Sequence, residues 1–278
     1  MTHEGTAFDA HALAQELRAA YASRQIVAVP PSDRAPGFDL PSGYAVEAEL
    51  VRLRRESGRT TVGRKVGYAN KAVWRVLKLE TLVWAHMYDD TVRDATGNTA
   101  TLSLATMCSP RIEPEIVFRM KGAVPAAAGA AEVLEAVEWL ALGFEIVDCV
   151  YADWKFQPAD FVAAFGLHSA LVVGEPHTIE PGGIPALVEQ LSRFTVRFMN
   201  GDRVAAEGSG KNVLRSPALC VAELAAAIAR QPGGTPLAAG ELVSSGSTTD
   251  SQPIASGETW TAIVEGIDLP ALELRTIS

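Results

Sequence analysis

The sequence predicts an α+β fold: a small helical N-terminal region, residues 1–60, followed by a larger mixed-sheet, β-roll-like domain, residues 61–278. Two observations carry this. Apolar residues at helical spacing dominate the first part, with Leu13, Leu17 and Tyr21, then Ala45, Leu50 and Leu53. From Thr61 onward, short β-rich runs punctuated by Gly and Pro take over, without the regular strand-helix alternation of a parallel sheet.

In chain order, helices are expected over Ala10 to Ala22 and Gly43 to Glu56, separated by a Pro-rich loop from Val29 to Ser42. Strands are expected at Thr61 to Tyr68, Ile112 to Met120, Phe144 to Val150, Ala170 to Val173, Phe194 to Asn200, Leu242 to Ser245 and Thr259 to Ile267. Helices interrupt them at Ala131 to Leu142 and Ser216 to Ala229. In the second, Ser216 suits the N-cap, Pro217 the first helical position, and Glu223 adds early negative charge. The Ala-Gly stretch from Ala123 to Ala131 reads as a loop.

A chain of 278 residues, 48% hydrophobic and 21% charged, can bury a sizeable core, and no apolar run is expected to cross a bilayer. The net charge of −9 argues against a nucleic-acid partner, which demands clustered Lys and Arg; Arg52, Arg54 and Arg55 read as the solvated face of a helix. Cys108, Cys149 and Cys220 form no disulfide framework, and the opening residues Met1 to Thr6 lack the marks of an export signal, so a cytoplasmic location is expected.

The chemistry concentrates in Arg111-Ile-Glu113-Pro-Glu115-Ile-Val-Phe118. On a strand, Glu113 and Glu115 share a face one pleat apart, where their charges raise each other's pKa unless a cation lies between them. An isolated Glu-x-Glu is more often a solvated strand face. Glu145, however, stands alone in the apolar run from Trp139 to Val147, and a buried carboxylate must neutralise, pair or bind metal. A structural ion pair is one outcome. Convergence of all three glutamates is the other, giving an all-oxygen site suited to Mg²⁺ or Mn²⁺ with positions left for a 2-oxo acid; the ion would stabilise charge on the ketone oxygen as an enolate forms.

These residues resemble a known family, the 2-keto-4-pentenoate (2-hydroxypentadienoate) hydratases and 4-oxalocrotonate decarboxylases of the fumarylacetoacetate hydrolase superfamily. The resemblance runs from about Gly43 to the C-terminus. It rests on Gly63-Arg-Lys65-Val-Gly67, Ile112-Glu-Pro-Glu-Ile116, Gly143-Phe-Glu145-Ile-Val-Asp148, and Pro236 to Glu241 leading to Ser245-Gly-Ser247. It implies a fumarylacetoacetate-hydrolase-like catalytic domain, with Glu113, Glu115 and Glu145 as metal ligands, Lys65 as the active-site lysine and Asp90 in a second-rank substrate or proton role. It also implies a cytoplasmic, metal-dependent lyase of aromatic catabolism, acting on a small 2-oxo acid. A homo-oligomer is expected, or association with a related hydratase or decarboxylase subunit.

Read from the residue alone, a Lys between Gly and Val on a strand is usually solvated; facing a metal, Lys65 would have its pKa depressed and suit acid-base work. Leu82-Val83-Trp84-Ala85 replaces the family's acidic stretch, which tilts the reading from hydratase toward decarboxylase. A carbon-carbon hydrolase is a third variant, weakened by Glu145, and a weakly active partner subunit a fourth. His86 and His168 read as structural histidines, and Lys211 as part of a turn, since the phosphate-loop pattern around it is incomplete.

Overall fold

The computed structural model describes residues 8–278. Helices α1 (Ala10–Ser23), α2 (Pro31–Arg34) and α3 (Leu40–Glu56) precede strand β1 (Thr61–Gly67), helix α4 (Lys71–Leu77), and strands β2 (Val83–Tyr88), β3 (Val92–Asp94), β4 (Thr99–Ser103) and β5 (Pro110–Met120). Helix α5 (Ala130–Glu135), strand β6 (Val137–Asp148), helix α6 (Pro158–Ala163), strands β7 (His168–Val173) and β8 (His177–Thr178), and helix α7 (Ile184–Arg193) follow. Strands β9 (Thr195–Asn200) and β10 (Arg203–Ser209), helix α8 (Pro217–Arg230), and strands β11 (Leu242–Ser247), β12 (Gln252–Pro253), β13 (Thr259–Glu265) and β14 (Leu272–Ile277) complete the chain.

The strands form two sheets. The nine-stranded one runs β2-β1-β11-β5-β6-β7-β3, with β12 on β5 and β8 on β6; the five-stranded one runs β10-β9-β13-β14-β4. The α+β expectation holds. Caps fix the early helices where local chemistry demands: Asp9 accepts from Ala12 N and Asp39 from Ser42 N. Leu17 and Leu50 are wholly buried in the same apolar cluster as Phe118, Phe144 and Trp260 of the sheets, so the N-terminal helices share the core.

Several expectations are corrected. The helix expected over Ala131 to Leu142 stops at Glu135, and the chain is already strand at Val137. The register explains this: β6 opposes β5 from Asp148 back to Val137, and a ladder that long overrides a weak helical period. The Pro-rich loop contains α2 and the first residues of α3. Ser216 occupies the N-cap of α8, but its hydroxyl makes no capping bond, and Glu223 instead takes the Thr81 hydroxyl at 2.5 Å. Arg54 is half-buried rather than fully solvated and stacks 4.5 Å from the Tyr88 ring centroid.

The stretch Gly210–Arg230 is long and apolar enough to cross a membrane, contrary to expectation, although 61% of its apolar window is buried in the fold. The opening residues read for an export signal lie outside the described residues.

Candidate metal centre

The sheet register brings the three glutamates together. Glu113 of β5 stands directly opposite Glu145 of β6, and Glu115 opposite Gly143, whose missing side chain leaves room: a Cβ there would lie 2.5 Å from Val117 Cγ2. Like charges directly across a ladder destabilise it, so this sheet is built at a local cost. One oxygen from each of Glu113, Glu115 and Glu145 lies within 4.8 Å of the others.

Their surroundings differ. Glu115 is fully buried; its Oε2 accepts from Ser244 Oγ at 2.5 Å and from Gly246 N at 2.8 Å, while its Oε1 is buried with no partner. Gly246 can make that approach because its φ is 104°, and a Cβ there would lie 2.5 Å from Ala69 Cβ. Glu145, equally buried, has both oxygens engaged: Lys65 Nζ donates to Oε2 at 2.9 Å and His168 Nδ1 lies 3.0 Å from Oε1. His168 Nε2 in turn lies 2.9 Å from Thr91 Oγ1, so Thr91, His168 and Glu145 form one string.

Lys65 reaches the cluster from β1, which pairs with β11 through Lys65 and Ser244. Its aliphatic stem passes Gly166, where φ is 60° and a Cβ would come within 2.9 Å of Lys65 Cδ, so that turn requires glycine. The ammonium lies 5.1 Å from the Phe161 ring centroid.

The electrostatics follow from one cation among three acids. Burial pushes Glu113 up, Lys65 offsets part of that, and Glu145 adds to it, leaving the carboxyl at about 7. Burial, then the charges of Glu145 and Glu113, raise Glu115 well above the usual carboxylate range. Glu145 is held below its ordinary value, because Lys65 and His168 outweigh burial. Lys65 is raised rather than depressed as expected: burial works to lower it, but Glu145, Glu113 and Glu115 together win. It is therefore a firm cation.

A cavity of about 640 Å³ opens beside the cluster, lined by Lys65 and Glu113 together with Tyr68, Trp154, Phe156, Phe161, Asn212 and Ser247. Asp90 is not among its lining residues. Its carboxylate is taken by Arg54 and, at 3.2 Å, by Arg59, so the structure does not bring it to the glutamates. His86 pairs with Glu47 at 2.7 Å, away from the cluster. Lys211 lies in a short 3-10 turn, as expected. His168, read as structural, is buried but bonds Glu145 directly. Sequence reasoning missed it because the contact spans 23 residues; a histidine among the apolar residues opening β7 was the available signal.

The donor set fits a hard divalent cation. All three candidate donors are carboxylate oxygens, Glu115 Oε1 is a buried acceptor without a donor, and with all three carboxylates ionised a single lysine leaves negative charge in excess. Lys65 covers Glu145 alone, so it does not close the gap between that residue and the other two.

The chain is 31% identical over 254 residues to a 2-hydroxyhexa-2,4-dienoate hydratase of Comamonas testosteroni, covering 91% of this chain and 92% of that one. It is 28% identical over 212 residues to a 4-oxalocrotonate decarboxylase of a Pseudomonas species, covering 76% and 78%. Among solved structures, 4-oxalocrotonate decarboxylase from Pseudomonas putida G7, complexed with magnesium and adipate, superimposes with a TM-score of 0.85 at 24% identity, over 96% of this chain and 97% of that one. No family model matches the chain. On the strength of these likenesses, the chain belongs to the family of 2-hydroxydienoate hydratases and 4-oxalocrotonate decarboxylases, within the fumarylacetoacetate hydrolase superfamily.

Proposed function

We propose that this chain is a metal-dependent lyase, a hydratase that takes a small 2-hydroxydienoate or its unsaturated 2-oxo tautomer from aromatic catabolism, with Glu113, Glu115 and Glu145 holding Mg²⁺ or Mn²⁺. The observation that carries the reading is the charge imbalance: three carboxylates within 4.8 Å, one buried oxygen unpartnered, and a single lysine. The hydratase and decarboxylase names of the relatives support it. When bound, such an ion supplies Lewis-acid stabilisation of negative charge on a ketone oxygen.

The chain's own residues do the rest. Lys65, protonated and lining the cavity, holds the substrate carboxylate or delivers a proton to the carbon chain. The string from Thr91 through His168 fixes the Glu145 carboxylate. Tyr68, Phe156 and Phe161 cover the carbon chain and exclude water from its apolar side. A cytoplasmic homo-oligomer, or a complex with a related subunit, belongs to the same proposal.

A second reading, decarboxylation of a 4-oxalocrotonate-like 2-oxo diacid, is favoured by one observation. Leu82 and Val83 are buried where the family's acidic stretch would stand, and Val83 packs beside Gly67 of the cavity. The stretch Leu82 to Ala85 itself supplies no carboxylate to activate water. The test follows ultraviolet loss of a short dienol with Mg²⁺ and protein, with CO₂ release and ¹⁸O incorporation measured in parallel. Water incorporation supports hydration and CO₂ release supports decarboxylation. Mg²⁺ binding without either product, on any 2-oxo acid tried, rejects both.

A further inference from the structure

Two unmatched features stand at opposite ends of β1. Shortly after Gly67, its last residue, the chain enters α4. Val73 and Val76 lie three residues apart on this helix and so share a face. Val76 is 80% exposed, the barest large apolar side chain among the described residues. Lys71, Arg75 and Lys78 frame it, all exposed, and no acid interrupts residues 71–78.

At the other end of β1, beside Val62, a second cavity of about 570 Å³ opens. Arg119, which lines it, lies on the face of β5 that carries Glu113 and Glu115. Between the two openings that face is filled by Val117 with Met87, Ala141 and Leu171, so the second cavity is separate from the metal centre. Its walls include Val62, Val92 and Trp139, none of them fully buried, and its rim carries Asp89, Asp94 and Glu175, all exposed. Arg119 is paired with Glu138 at 3.0 Å, which leaves the rim with negative charge in excess. The cavity is thus an apolar socket with an anionic rim, and α4 an apolar peg with a cationic collar.

We infer that α4 of one copy seats in this cavity of a second copy, with Val76 entering against Trp139 and the cations of the helix meeting Asp89, Asp94 and Glu175. This rests on the homo-oligomer of the proposed function and gives it an interface. The seven residues of β1 hold peg and socket about 20 Å apart, so a chain cannot fill its own cavity. Two different patches meet, so the contact is head to tail and passes from copy to copy, as in a ring, rather than joining a two-fold pair. Val73 also lines the catalytic cavity, so the copy that receives α4 stands at the rim of the donor's substrate site.

The test is sedimentation velocity of the full chain over a range of concentrations. A peg variant joins Arg75→Gln to Val76→Gln, and a socket variant joins Asp94→Arg to Glu175→Arg; all four residues are exposed, so the fold should survive. Each variant is expected to weaken association about thirtyfold or more. Val76→Glu alone, the least intrusive change, should act in the same direction. Mixed in equal amounts, the peg and socket variants should form a dimer and nothing larger, because the first keeps its socket and the second its peg. Wild-type assembly by either variant overturns the inference while the homo-oligomer stands, and so does a mixture that stays monomeric. A wild type that is itself monomeric at the highest concentration overturns the homo-oligomer and this interface together.

Discussion

The two faces of β1 carry adjacent buried cations with opposite fates. Arg64 points one way and meets a single carboxylate, Glu241, with Thr235 O at 3.0 Å and the Trp84 ring 5.7 Å away. Lys65 points the other way, into three glutamates. On the Arg64 face charge is matched one to one, and the pair is structural. On the Lys65 face it is not, and the excess negative charge is the chemical signature of a site. Burial alone therefore does not separate a structural cation from a functional one, whereas charge balance does.

Breaking the unbalanced face should have the largest effect. Lys65→Met is expected to lower turnover by roughly a thousandfold, within the range of a lost proton-transfer group, while Mn²⁺ binding followed by electron paramagnetic resonance persists. On the balanced face, Arg64→Met should instead cost about 2 to 3 kcal/mol of stability in urea, below the full cost of a broken buried pair because Glu241 is partly exposed. Metal affinity should stay unchanged. If Arg64→Met abolishes Mn²⁺ binding, the distinction between the faces is lost.

A finer cut is His168→Ala, which frees one oxygen of Glu145 and should weaken Mn²⁺ binding by about 10- to 100-fold, as losses of supporting hydrogen bonds do. The smallest effect concerns pH. Because burial and Glu145 hold the Glu113 carboxyl at about 7, above the ordinary carboxylate value, the metal-free folded protein retains a proton there that the unfolded chain has released. Its contribution to stability is complete at low pH and is lost as pH rises toward 7 and beyond. Metal-free wild type should therefore fall relative to Glu113→Gln between pH 5 and pH 8, by on the order of 1 kcal/mol. A parallel pH dependence in the two proteins would contradict the unbalanced charge.

Much of this was legible in the sequence, for definite reasons. Glu113 and Glu115 are linked by the two-residue period of a strand, and Glu145 stood out as a lone charge in an apolar run. Local patterns do not report register, so the direct opposition of Glu113 and Glu145 was invisible, as was the convergence on these acids of Ser244, Gly246, Thr91 and His168 from other strands and turns. The same limit hid the pairing of Asp90 with Arg54 and Arg59, and extended a helix into Val137 to Leu142. The depressed lysine pKa failed on charge count, since three acids outweigh burial.

One contact far from the carboxylates bears on how the chain can be cut. The Tyr21 hydroxyl of α1 donates to the Asp148 carbonyl at 2.8 Å, at the end of the strand that carries Glu145. The first helix is thereby riveted to the strand that carries Glu145, and Leu17 and Leu50 fill the same core. Expression of residues 61–278 alone would strip that rivet and open the apolar interior, so any shortened form of the protein should keep the leading helices.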